Sequence, residues 1–323
     1  MKTRISLVLI ALCGAFCASA QLQMEDFYNN PTWHECSTEM ETAQVLDFPE
    51  ESQPVRYMPN VVYAAAHGEA LTLQIMRKIG QSDPKPCVIF IQGSAWQKQD
   101  TYSNIPMMSR FVDRGYVVAM LQYTHSGIAP FPAALQDVKT AIRFMRKNAE
   151  TYGVDPDNIF LWGDSSGGHL TLMTALTSHV PEFDSDLYTE YSTEINACVA
   201  YYPVTDLLVM HRDPCASTSG LSDSFEGQFL GRRSVEDIPE EAKAASPIYY
   251  VSADRENPPV MLAVGTSDHI VPFSQTEMMA KKLEEENKVY QYYVIDGADH
   301  GSWQFWTSRM FDIVDAFLRQ YMK

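Results

Sequence analysis

Gly163-Asp164-Ser165-Ser166-Gly167 is the stretch on which the reading of the whole chain turns. Its pattern, G-x-S-x-G, is short enough to arise by chance, so its setting decides. Residues 158–162 (NIFLW) before it are apolar and rich in strand formers, and residues 168–178 (GHLTLMTALTS) after it carry apolar side chains at helical spacing. The spacing predicts a strand, a sharp turn at Ser165 and a helix. Such a turn lifts a serine hydroxyl clear of the end of a strand. It needs glycines two residues to either side, because side chains there would obstruct the returning backbone. Ser165 is the candidate nucleophile.

The flanking chain repeats the alternation. Residues 60–66 and 70–77 read as strands around a turn at His67-Gly68, and residues 86–92 (PCVIFIQ) and 116–123 (YVVAMLQY) are apolar runs expected of strands buried on both faces. A helix over 105–114 separates the latter two. Pro132 opens an amphipathic helix to 148, with proline in the first turn where its missing N–H costs nothing. Beyond the elbow come a strand over 195–202, a strand over 259–266 (PVMLAVGT), a charged helix over 272–288, a strand over 290–296 and a closing helix over 302–322. Strands alternating with helices in this way predict an α/β fold, a mainly parallel sheet with helices on both faces. Between about 204 and 246 the apolar period fails and Gly, Ser, Asp and Pro accumulate. This segment is expected to be a small cap insertion.

Residues 1–20 combine Lys2 and Arg4, an apolar stretch over 5–16 and Ala18-Ser19-Ala20. That pattern predicts a signal peptide, with a mature start near Gln21 and a secreted or periplasmic protein. Residues 21–54 form an N-terminal arm and residues 55–323 the main domain. No later apolar run is long enough to span a membrane. The formal charge of −17 becomes −19 once Lys2 and Arg4 leave with the leader. Such a charge repels phosphate backbones and anionic lipid, so nucleic acid is not an expected partner. Of the six cysteines, Cys13 and Cys17 leave with the leader, and Cys87 and Cys198 fall inside predicted strands as inert core thiols. Cys36 and Cys215 lie in polar, loop-like sequence, and a bridge between them stays open. No CxxC, HExxH or similar spacing is present, so neither a metal nor a cofactor is expected.

A serine hydroxyl needs a base to take its proton, and the base needs an orienting carboxylate. On this topology the chain order is serine, acid, histidine. Gly265-Thr266-Ser267-Asp268 follows one predicted strand, and Gly297-Ala298-Asp299-His300-Gly301 follows the next. Asp268 and His300 thus sit at strand C-terminal ends, where an open parallel sheet places its site. The other histidines are less suited: His34 in the arm, His67 in a turn, His125 upstream of the nucleophile, His179 at a helix end and His211 in the insertion, with His169 and His269 adjoining proposed catalytic residues. Asp299 shares a loop with the base, and Asp137 and Asp206 read as loop- or helix-capping carboxylates.

With these residues assembled, the region from about 56 to 321 resembles the α/β-hydrolases of the hormone-sensitive-lipase and feruloyl/acetyl-esterase-like group. Pro130-Phe131-Pro132-Ala133-Ala134 with Asp137, and Tyr202-Pro203-Val204-Thr205-Asp206-Leu207, add to the resemblance, as do Gly168 and His169 after the elbow. It implies an eight-stranded, mostly parallel sheet and hydrolysis of carboxylic esters. Such enzymes carry a His-Gly-Gly-Gly run after the third strand, where this chain reads Gln92-Gly93-Ser94-Ala95-Trp96. The expected oxyanion hole is the amide of Ser166 with that of Ser94 or Ala95, provided the backbone needed is open to Ser and Ala. Trp96, Trp303 and Trp306 flank the site in sequence. Trp96 and Trp303 are candidate substrate contacts, and core packing is the competing reading for each. The expected substrate is a small-molecule or carbohydrate-linked ester, by analogy an acetyl or feruloyl ester on plant polysaccharide. A serine peptidase of the prolyl-oligopeptidase type and a non-catalytic binding protein on the same fold are the alternatives, and the oligomeric state is left open.

Overall fold

The computed structural model describes residues 39–46 and 53–323, so the expected signal peptide, most of the arm and Cys36 lie outside the described residues. Residues 39–46 belong to a separate unit from the chain that begins at Pro49. They are exposed and irregular, with one turn closed by Ala43 N–H donating to the Met40 carbonyl at 3.0 Å.

The larger unit holds eight strands: β1 (Val55–Ala66), β2 (Glu69–Lys78), β3 (Lys85–Ile91), β4 (Val117–Leu121), β5 (Val154–Asp164), β6 (Cys198–Tyr201), β7 (Val260–Gly265) and β8 (Tyr290–Ile295). They form one sheet in the order β1-β2-β4-β3-β5-β6-β7-β8. Only β2 opposes its neighbours; β4, β3, β5, β6, β7 and β8 all pair in parallel. The mostly parallel, eight-stranded α/β-hydrolase sheet is as expected.

Period-two alternation explains why the central strands read as unbroken apolar runs. On β3, Cys87, Ile89 and Ile91 enter one core while Val88 and Phe90 enter the other; on β5, Ile159 and Leu161 oppose Phe160 and Trp162 in the same way. The first core is covered by α2 (Ala133–Lys147), α4 (Ser166–Leu176) and α8 (Phe273–Glu285), the second by α1 (Ile105–Val112) and α9 (Ser308–Arg319). A short helix α3 (Ala149–Tyr152) ends at Gly153 before β5. The closing helix starts later than the periodicity suggests. A 3₁₀ turn, Trp303–Trp306, comes first, and Thr307 then caps α9 by accepting from Met310 N–H.

The expected cap insertion consists of α5 (Leu207–Met210), α6 (Phe225–Phe229), α7 (Pro239–Ala244) and one further 3₁₀ turn, Val235–Asp237; another, Pro247–Tyr250, follows it. Asp206 caps α5 as its sequence suggests, accepting from Leu208 N–H. Asp137 caps a loop and not a helix end: it lies inside α2 and accepts Thr124 N–H at 2.7 Å, tying the loop after β4 to the helix. Cys87 and Cys198 are buried, which pushes both thiols up to about 12, as inert core groups should be; Cys215 is exposed.

No helix among the described residues is long and apolar enough to cross a membrane.

Because β3 lies between β4 and β5, the chain leaves β3 on one side and returns to its other side. The loops after β3 and β5 therefore leave the sheet side by side at that switch point, where open α/β sheets place their sites.

Candidate active site

Ser165 stands between β5 and α4 with φ 52° and ψ −123°, a conformation that L-residues rarely adopt. Only missing side chains allow it. A Cβ on Gly167 would lie 1.9 Å from the Ile91 carbonyl oxygen, and one on Gly163 would lie 2.3 Å from the Gly167 oxygen. The loop after β3 crowds the same turn: a Cβ on Gly93 would come within 2.7 Å of Ser165 Cβ. Strain at the serine is thus held by close backbone contacts.

His300, from the loop after β8, places Nε2 at 2.9 Å from Ser165 Oγ and Nδ1 at 2.8 Å from Asp268 Oδ2. The tautomer follows from the partners. A carboxylate can only accept, so Nδ1 carries the proton and Nε2 offers its lone pair to the serine hydroxyl. Asp268, at the end of β7, has a fully buried side chain, and its Oδ1 accepts the Ile270 and Val271 amides at 3.0 Å each. Three residues far apart in sequence meet in one hydrogen-bonded line, the arrangement expected from their places after β5, β7 and β8.

Asp299, the neighbour of His300, has another task. It accepts His300 N–H at 2.6 Å and pairs with His269 Nδ1 at 2.6 Å, joining the base loop to the acid loop at the exposed rim. Tyr202 lies beneath His300 with ring centroids 4.5 Å apart, and its hydroxyl donates to Asp164 at 3.4 Å. Asp164 is half-buried directly before Ser165, with its carboxyl turned inward to these partners. Burial pushes its carboxyl up to about 6, against the opposing pull of the Gly93 amide, His300 and Tyr202.

In the loop after β3, Ala95 and Trp96 both have positive φ, 53° and 54°. A relative with glycines there would adopt this at no steric cost; here side chains hold it. The Trp96 indole stacks on Phe229 of α6 at 4.6 Å and donates from Nε1 to His169 Nδ1 at 3.1 Å. His169 Nε2–H in turn donates to the Ala245 carbonyl at 2.7 Å. Burial holds this imidazole at about 4, well below the usual histidine range. Trp96 is therefore not placed as a substrate contact: only 2% of it is exposed, because it is the anchor of its own loop. Trp306 packs in the core against Trp162. Trp303 is 73% exposed three residues beyond the base.

The side chains that might replace backbone donors are engaged elsewhere. Gln92 donates to Ser103 Oγ at 2.9 Å, and Ser94 Oγ donates to the Gln97 carbonyl at 2.6 Å. The insertion touches the loops on both sides, through Phe229 on Trp96 and through Ser217 Oγ donating to the Ile270 carbonyl at 3.1 Å. Asp164, Tyr202 and Phe229 carry no local sequence signal for these roles, which arise from contacts across strands. Among the described residues, no cluster of His, Cys, Asp or Glu is placed to hold a metal ion.

Known proteins share this architecture. The esterase LipQ of Mycobacterium tuberculosis is 30% identical over 271 residues, which is 80% of this chain and 62% of LipQ. The chain thus spans less than two thirds of that relative's length. A truncated carbohydrate esterase from gut microbiota superimposes with a TM-score of 0.75 at 24% identity, covering 84% of this chain and 98% of that one; at this identity the likeness is one of fold. The butyrate-bound esterase Est2 of Thermogutta terrifontis gives 0.65 at 26% identity, over 84% of this chain and 95% of its own. The BD-FAE family model matches residues 73–283, well over half of the sequence, from β2 through most of α8. The chain belongs to the BD-FAE family, α/β-hydrolases of the hormone-sensitive-lipase and feruloyl-esterase-like kind.

Proposed function

We propose that this chain is a secreted serine carboxylesterase in which Ser165, His300 and Asp268 act as nucleophile, base and orienting acid. The observation that carries the reading is the continuous line of hydrogen bonds from Ser165 Oγ through His300 to Asp268, each at 2.8–2.9 Å. Ser165 Oγ attacks the ester carbonyl while Nε2 takes its proton. The buried Asp268 carboxylate stabilises the imidazolium that forms. Backbone amides at the switch point receive the negative charge on the carbonyl oxygen. Nε2 then hands the proton to the departing alcohol, and a water activated by the same imidazole releases the acid from Ser165.

A carbohydrate-linked ester is the substrate this reading favours. Its support is the name of the gut carbohydrate esterase with the same fold, together with the exposed indole of Trp303 beside the base, which offers a flat apolar face to a sugar or an aromatic acyl group. The leader-like pattern of residues 1–20 supports secretion.

Labelling with a fluorophosphonate probe tests the mechanism. Wild-type protein is expected to label at Ser165. Ser165→Ala abolishes labelling and lowers kcat by at least about 10³-fold, and Asp268→Asn lowers it by about 10⁴-fold. Folded wild-type protein that does not label would point to a binding protein instead. Aryl esters against peptide amides separate esterase from peptidase. Acetylated against feruloylated xylo-oligosaccharides identify the acyl group.

A further inference from the structure

Three successive amides, those of Gly93, Ser94 and Ala95, pass beside the nucleophile, and the structure distinguishes them. Gly93 N–H donates to Asp164 Oδ1 at 2.8 Å, and Ser94 N–H donates to Ser166 Oγ at 2.9 Å. The two residues flanking Ser165 in sequence thus each take one amide of the loop. Ala95 N–H has no acceptor among the described residues. Ser166 N–H lies in the first turn of α4, where amides have no helical acceptor.

The hydroxyl of Ser166 belongs to a buried network rather than to the substrate side. Ser166 is 1% exposed and Tyr123 is equally buried. The Tyr123 hydroxyl lies 2.9 Å from Ser94 Oγ, which spends its own proton on the Gln97 carbonyl, so the tyrosine is the donor in that pair. Burial pushes the phenol up to about 12, so it remains a donor at all ordinary pH. Ser94 is thereby held from two directions, by its amide and by its side chain. The left-handed turn at Ala95 and Trp96 follows at once. Strained backbone of this kind persists only where its surroundings over-determine it.

We propose that the Ser166 hydroxyl is a positioning group for the oxyanion hole: by accepting Ser94 N–H it fixes the loop so that Ala95 N–H, not Ser94 N–H, joins Ser166 N–H as donor to the reacting oxygen. This rests on the serine-esterase reading. It narrows the choice between Ser94 and Ala95 to one residue. It also gives the second serine of the elbow, absent from the chemistry itself, a function in aligning it.

Proline cannot test the point, because its ring fixes φ near −65° and Ala95 sits at +53°. Replacing a residue by its α-hydroxy acid analogue through nonsense suppression instead exchanges the N–H for an ester oxygen and leaves φ free. With an activated acetate ester as substrate, the ester at position 95 is expected to cost about 10²–10³-fold in kcat, the usual loss for an oxyanion donor. The ester at position 94 is expected to cost about 10-fold, as for a lost positioning bond, and no further loss in a Ser166→Ala background. Ser166→Ala alone should lower kcat about 10-fold with KM within about 3-fold, while fluorophosphonate labelling at Ser165 persists. Equal losses from the esters at 94 and 95, a silent ester at 95, or an unchanged or raised kcat in Ser166→Ala would each overturn the assignment. Wild-type protein that fails to label would instead remove the esterase reading itself, so the two failures are told apart.

Discussion

Two loops meet at the switch point of this sheet, and they hold unusual backbone by opposite means. The elbow after β5 is built from absences: Gly163 and Gly167 have no Cβ, and neighbouring carbonyls fill the space to within about 2 Å of where one would stand. The loop after β3 is built from presences. Ala95 and Trp96 carry side chains at positive φ, and a stacked phenylalanine, a buried histidine and two hydroxyl networks keep them there. A glycine turn is tolerant of what lies beyond it and intolerant of any added atom. An anchored turn is the reverse. It accepts changes in its own small residues and depends on partners far away in the chain.

That contrast sets the expected order of effects. Gly167→Ala is the most damaging, because its methyl would meet a backbone oxygen that no side-chain rotation can move. We expect a loss of more than about 3 kcal/mol in denaturant unfolding and at least about 10²-fold in kcat from a displaced serine. A well-folded, fully active Gly167→Ala protein would break the comparison. Next comes Trp96→Ala, which removes the anchor of the other loop without touching the reacting atoms. It should cost about 3–5 kcal/mol of stability, and kcat should fall about 10-fold or more as Ala95 loses its place. Stability lost with kcat intact would mean that the loop does not need its anchor.

The pH dependence of stability sharpens the same point. His169 is held neutral, at about 4 against 6.5 in the unfolded chain. The native state therefore takes up its proton later than the unfolded state as pH falls. Stability from this residue is complete above about pH 6.5 and is lost progressively down to about pH 4, on the order of 3 kcal/mol in all. A plot of unfolding free energy against pH for wild type minus His169→Gln should slope through that window, and a flat difference would detach His169 from the anchor. The smallest effect belongs to Ala95→Gly. Glycine relieves the positive φ but adds freedom to the unfolded chain, so the two terms of about 1 kcal/mol nearly cancel. We expect melting within a few degrees of wild type and kcat within about 3-fold. A larger fall in kcat would show that the Ala95 side chain itself helps to hold the amide.

The fold and the hydrogen-bonded line of Ser165, His300 and Asp268 were legible in the sequence because their signals are local. Apolar runs mark strands buried on both faces, and Ser165, Asp268 and His300 each follow such a run directly. The supports of the site were not legible, since each is a contact between segments that no spacing connects. Trp96 looked like a substrate contact because an aromatic beside an oxyanion segment fits either face of the loop. Its burial is decided by Phe229, in an insertion more than a hundred residues later. Asp164 was read only as a variable position of the motif, and Ser166 only for its backbone amide, not for its hydroxyl. Their roles appear once β3 and β5 are known to be neighbours, which places Gly93 and Ser94 against them.

The order in which the strands enter the sheet also has a consequence in time. Ser165 and the loop before it belong to β5 and β3 in the middle of the sheet, while Asp268 follows β7 and His300 follows β8, which pairs with β7 alone at the edge. A chain emerging from the ribosome can complete its central strands while His300 is still unmade. Until β8 docks, Ser165 is an alcohol with nothing to take its proton, no more reactive than any other serine. On the proposed serine-esterase reading, activity therefore switches on with β8, and the unfinished polypeptide is harmless to esters it meets during its own synthesis. Any event that peels β8 from the edge would return the molecule to that silent state with most of its sheet intact.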